Sequence, residues 1–155
     1  ASKATVYTPT GTAVEAYYDR TWWNAGCSES YAVELSNRYL EVYPSAQIVR
    51  TPSPKYNCHS YAWHSTSAGN LYWINDPTAY MSDGSYQASY AKKNNKITYR
   101  DNSTDEITHS GIVNSTENGV YVFSKWSNWA VFYHQEDDCP YAAKGGITIQ
   151  YWSRE

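Results

Sequence analysis

Cys58 stands in "KYNCHSYAWHS", residues 55–65, between His59 and His64 in a run of aromatics. A cysteine in that setting can be a nucleophile, a metal ligand or half of a disulfide. The metal reading fails on geometry. His59 is the next residue and lies about 100° around a helix, and no second cysteine follows at the spacing a zinc site needs. An inert buried thiol is the ordinary fate of a cysteine. Position argues for more. Cys58 follows the proline-rich "TPSP" and opens a helix, where the macrodipole and the free backbone N–H groups favour a thiolate and can hold an oxyanion. Such a nucleophile takes its base from elsewhere in the fold. His109 opens "HSGIV", a half-buried strand, and is placed to project at the sheet's edge.

The elements that must position this pair follow from periodicity. Tyr31, Leu35, Tyr39, Leu40 and Tyr43 recur at helical spacing, with Ser28 as N-cap and Pro44 as the stop. Residues 1–20 read as an extended arm with turn residues Pro9 and Gly11. "AQIVRT" is a short extended piece, and a second helix starts at Asn57 or Cys58 and runs to His64. Residues 72–95 read as irregular, with turns at "NDP" and "SDG" that account for Asp76 and Asp83. The period then becomes two: "KITYR", "HSGIV", "VYVFSKW", "AVFYH" and "ITIQYW" are strand-like runs bounded by polar or glycine turns. Two helices followed by an antiparallel sheet make an α+β domain. It is read as one domain over 1–155, an arm and helix over 1–54 and a core over 55–155.

Composition narrows the function classes. The net charge is −3, with no basic run to neutralise phosphates, which argues against nucleic acid or anionic membrane as partner. Apolar runs are only a few residues long, too short to span a bilayer. The 17 tyrosines and 7 tryptophans require partners for their polar tips inside the core. A surface rich in Ser, Thr and Asn, and a start at alanine with no apolar leader, lead to an expectation of secretion. Sequons at Asn102 and Asn114 also read as polar turn sequence. The cysteines number three. In a secreted chain the odd count predicts a Cys27–Cys139 bridge, both residues having loop-like settings, with Cys58 left free.

"NCHSYAW", "NKITYR" and "HSGIV", in that order, resemble the NlpC-type and CHAP branch of the papain-like fold. "YNCHSYAW", "HSGIV" and "FSKW" are also similar to strings of an uncharacterised secreted bacterial group. The resemblance covers about residues 55 to 130. It implies an antiparallel sheet packed against the helix that carries the nucleophile Cys58, with His109 as base. In the similar families a third polar group on the following strand accepts from the histidine. Here that strand is "VYVFSKWSN". Lys125 falls near the place but has no acceptor; Asn128 is the choice, with Ser124 next. Asn95 and Lys96 stand where the family has glycine and aspartate.

The resemblance further implies a thiol hydrolase, without cofactor or metal, that cleaves amides in peptidoglycan stem peptides; the chain is expected to be secreted and monomeric. The same machinery serves protein deamidases, transglutaminases and toxins, and the rival class is a non-catalytic binding module on the same fold. Trp126 and Trp129 run from the candidate strand into a loop, where they could wall a groove; Tyr61 and Trp63 read as core. His134 and "QEDD" have metal-binding side chains, but the Asp-Asp pair before "CPY" reads as a solvated turn, and no metal is expected.

Overall fold

Two alternating runs at the chain's start pair with each other instead of forming a free arm. In this computed structural model, which describes residues 1–154, β1 (Ser2–Tyr7) and β2 (Ala13–Tyr18) make an antiparallel hairpin. Its turn is closed by the Thr8 N–H on the Thr12 carbonyl at 2.9 Å, with Gly11 at φ 96°. A short α1 (Trp22–Ala25) follows, started by a reciprocal Thr21–Asn24 capping box. Then comes α2 (Glu29–Val42), whose cap Ser28 accepts from the Tyr31 N–H at 3.1 Å, as the sequence predicts.

After β3 (Gln47–Arg50), residues Cys58 and His59 open a helical turn that continues as a π-helix over Ser60–His64, closed by the Ser65 N–H on the Ser60 carbonyl. The stretch read as irregular contains α3 (Thr78–Ser82) and β4 (Gln87–Ser89). The period-two runs become β5 (Lys96–Asp101), β6 (Glu106–Ser115), β7 (Tyr121–Lys125), β8 (Val131–Gln135) and β9 (Ile147–Ser153). They join one seven-stranded sheet of order β3-β8-β7-β6-β5-β9-β4, every pairing antiparallel. The α+β class is therefore as expected.

The two faces of the sheet carry different cores. Ile97, Tyr99, Val113, Val122 and Phe132 share one face and pack against Tyr39, Leu40 and Tyr43 of α2. Trp126 stacks on Phe132 at 3.8 Å there, an aromatic pair worth roughly 1 kcal/mol beyond its buried area. The opposite face carries Ile112, Phe123 and Val131, packed on Tyr56 and Tyr61. Ala62 and Trp63 turn away from that contact into a third core with Val6, Val14 and Ala16 of the hairpin. The helix of Cys58 is thus held between the large sheet and the hairpin. Gly111 is required where β6 and β7 approach: a Cβ there would stand 3.0 Å from the Phe123 carbonyl oxygen.

Candidate active site

Asn57 sets the start of the cysteine helix. Its side-chain oxygen accepts from the Ser60 N–H at 3.2 Å and the Ile74 N–H at 3.1 Å, and its amide donates to the Ile74 carbonyl at 2.6 Å. Asn57 is thus the N-cap, tied to a second segment, and Cys58 is the first helical residue. The π-turn that follows is a rare widening often found at functional sites.

Cys58 is buried and lines a cleft of about 270 Å³ with His59, Trp73, Glu106, Ser127 and Tyr141. The β6–β7 pairing stops at Ile112↔Phe123. Beyond that point the backbone N–H groups of Ser110, His59 and Cys58 itself lie near the sulfur and favour its ionised form. Burial outweighs these donors and the nearby Lys125 charge, and pushes the thiol up to about 11, so at neutral pH it is protonated.

His59 and Ser110 form a closed polar chain beside it. Trp63 Nε1 donates to Ser110 Oγ at 2.9 Å, and Ser110 Oγ lies 2.8 Å from His59 Nδ1. The Ile107 carbonyl faces the other ring nitrogen. A neutral ring satisfies both partners when Nε2 carries the proton and Nδ1 accepts from the serine. Burial keeps it neutral, with a pKa pushed down to about 4.

His109 is different. Residues 109 and 110 point to opposite faces of the sheet, so His109 turns away from the cysteine helix and into the core with Tyr99, its partner in register. The strand begins at Glu106, three positions earlier than "HSGIV", which puts His109 inside the sheet and not at its edge. The ring lies flat on Tyr141, centroids 3.7 Å apart and planes 5° from parallel. Neither ring nitrogen has a hydrogen-bond partner among the described residues. Burial, then the neighbouring His134 and His59, hold its pKa well below the ordinary value, and it is neutral.

The expected third residue is not where the sequence puts it. Asn128 Oδ1 accepts from Arg20 Nη2 at 3.0 Å instead of orienting His109. The backbone at Ser127 turns to φ 52° just before it, which redirects the side chain. Ser124 is engaged by His134 Nε2 at 2.8 Å and by Trp126 Nε1 at 3.0 Å. No hydrogen bond joins Cys58 to His109.

The aromatic wall also differs. Trp126 is fully buried, and Trp129 packs edge-on against Tyr31 at 5.9 Å. Trp73 and Tyr141 line the cleft in their place, Trp73 under the Arg20 guanidinium at 3.7 Å. Tyr141 comes from the turn-rich "CPYAAKGG", which carries no periodic signal. Cys27, Cys58 and Cys139 are all free thiols, so the Cys27–Cys139 bridge is not formed. Cys139 is instead buried in the core, its thiol on the Glu136 carbonyl at 3.6 Å.

Among the described residues no cluster of His, Cys, Asp and Glu has the arrangement of a metal site, and no helix is long and apolar enough to cross a membrane. No family model, no curated protein and no solved structure matches the chain.

Proposed function

We propose that this chain is a papain-like, secreted thiol hydrolase that cleaves amide bonds, with Cys58 as nucleophile and His109 as base. One observation carries the reading. A thiol at the first turn of a helix capped by Asn57 lines a cleft, and the wall of that cleft, Tyr141, lies flat on an imidazole with both nitrogens free. A buried polar group left unpaired costs about 1–3 kcal/mol, and this one lies directly beneath the Tyr141 wall of the cleft.

The thiol and the imidazole both rest neutral, so the proton moves in the attacking step rather than before it. This step requires a rearrangement, because His109 lies beneath Tyr141 on the face away from the cysteine helix: Tyr141 swings off the ring, and His109 then takes the Cys58 proton as the sulfur bonds to the substrate carbonyl carbon. The N–H groups of Cys58 and His59 face the oxyanion. Collapse breaks the C–N bond, His109 gives its proton to the leaving amine, and a thioester remains. Water, deprotonated by His109, adds to the thioester carbonyl; the C–S bond then breaks, the acid leaves, and His109 returns its proton to the Cys58 sulfur. An amine in place of water makes the same intermediate a transamidation. The substrate in this reading is a peptide amide of the peptidoglycan stem, taken by a monomer without cofactor or metal.

A second reading, a non-catalytic binding module on this fold, is favoured by the missing Cys58–His109 hydrogen bond and by the raised thiol. Incubation with peptidoglycan fragments, followed by mass spectrometry of the products, separates the two. New amine and carboxyl termini that vanish in both Cys58→Ala and His109→Ala, with a double variant no worse than either, are the expected result. Intact substrate, together with no selective alkylation of Cys58 by iodoacetamide near neutral pH, leaves the binding module.

A further inference from the structure

Lys125 is a charged residue in the interior that no role above uses. It ends β7 fully buried, and its Nζ donates to the carbonyl oxygens of Ser53, Tyr56 and Ser127 at 2.7, 2.9 and 2.5 Å. The Tyr56 ring lies below it, 4.9 Å from Nζ to the centroid. None of the ion pairs among the described residues involves it.

We infer that Lys125 is a permanently protonated clamp that positions the segment leading into Cys58 and supplies a fixed positive charge to the thiolate formed there. The inference rests on the nucleophile reading of Cys58.

The protonation state follows from the acceptors. An ammonium has three N–H bonds and no acceptor, and here each bond has one carbonyl. A neutral amine has only two N–H bonds and would aim its lone pair at the third oxygen. Burial pushes the pKa of this lysine well below the ordinary value, as do the neighbouring Arg20 and Arg50; Cys58 is the group that raises it. The carbonyl cage opposes that loss, in the way peptide oxygens hold a cation.

The positioning role follows from what the carbonyls belong to. Ser53 and Tyr56 lie in the "PSPKYN" segment that delivers Asn57, the cap, and Cys58; Ser127 lies in the β7–β8 turn and lines the cleft. One ammonium thus ties the loop before the nucleophile to a wall of its cleft. Lysine is needed because the bonds leave one atom in three directions, which the planar guanidinium of arginine cannot reproduce. The thiolate, once formed, has this cation as its positive neighbour, and Lys125 is the charged side chain that favours ionisation of Cys58.

The test is the pH dependence of Cys58 alkylation by iodoacetamide, compared between the native chain and Lys125→Met, which keeps length and removes charge. The expected result is an apparent thiol pKa at least one unit higher in the variant, read as a tenfold slower reaction at fixed pH below both values. The near-UV spectrum should stay native. An unchanged pKa in a folded variant overturns the inference. Nitrogen-15 NMR of lysine Nζ in the unmodified protein keeps the test decisive should Lys125→Met fail to fold. An ammonium resonance at neutral pH that shifts when Cys58 is alkylated is expected, and a neutral amine resonance overturns the clamp. Neither measurement depends on turnover, so a protein that hydrolyses nothing but shows the shift loses the hydrolase reading and keeps this one.

Discussion

His134 and His109 are buried on the same face of one sheet and differ in every contact that matters. His134 ends a closed chain: Trp126 Nε1 donates to Ser124 Oγ, Ser124 Oγ meets His134 Nε2 at 2.8 Å, and His134 Nδ1 meets the Gln135 carbonyl at 2.6 Å. The opposite face repeats the device with Trp63, Ser110, His59 and the Ile107 carbonyl. Each chain places a serine between an indole and an imidazole, and each histidine is explained by stability. His109 lies between two tyrosine rings with both nitrogens unpaired. A phenylalanine would pack there without the unmet polar atoms. Comparing the three separates imidazoles that hold a fold from one that the fold merely tolerates.

The sharpest break of that comparison is His109→Phe. Turnover should fall on the order of 10³-fold or more, the scale of a lost general base, while stability holds or rises by about 1 kcal/mol. Kinetics on the cleaved substrate beside urea unfolding checks both halves. A large loss of stability would put His109 in the same class as His134.

Acidification gives the next largest effect. His59 and His134 have folded pKa values pushed down to about 4, against an ordinary value of 6.5. Between those values the unfolded chain binds more protons, so stability is complete above about pH 6.5 and falls as pH drops toward 4. Each histidine contributes on the order of 3 kcal/mol to that fall, and His109 acts in the same direction. Urea midpoints measured from pH 7 to pH 4 should drop steadily, with His134→Leu flattening part of the slope.

His134→Leu itself should cost about 2–4 kcal/mol, because it strands the Ser124 hydroxyl and the Gln135 carbonyl. Alkylation of Cys58 should remain native in that variant, measured at pH 8. The smallest effect belongs to Asn128→Ala, which loses one bond to Arg20 and about 1 kcal/mol or less. Its pH–rate profile should match that of the native chain, since Asn128 does not face His109.

Local pattern made much of this molecule legible. The Ser28 cap, the helix up to Pro44, the helix opened by Cys58 and the period-two strands were all readable, because each depends on neighbours within a few residues. The first hairpin was readable only as extended backbone, since its pairing needs the turn at Gly11 to close. Cys58 and His109 stood out by residue type and order. What covers them did not: Tyr141 arrives from a loop without periodicity, and two of the three carbonyls that cage Lys125 come from about 70 residues away in sequence. Asn128 was misplaced for a related reason, a left-handed Ser127 that a strand-to-loop alignment does not register.

The position of β9 has a kinetic consequence. The strands from β5 to β8 form a meander of neighbours, so their hairpins can close as soon as each turn is made. β4 has no partner but β9, and β5 has only one of its two edges filled until β9 arrives. During synthesis β5, the neighbour of the His109 strand, therefore waits with an open edge until the chain has grown from Asp101 to Ile147, the kind of edge that captures other extended segments. β5 contains Lys96 and Arg100 in that interval, charges of the sort that keep such an edge from pairing with a second copy.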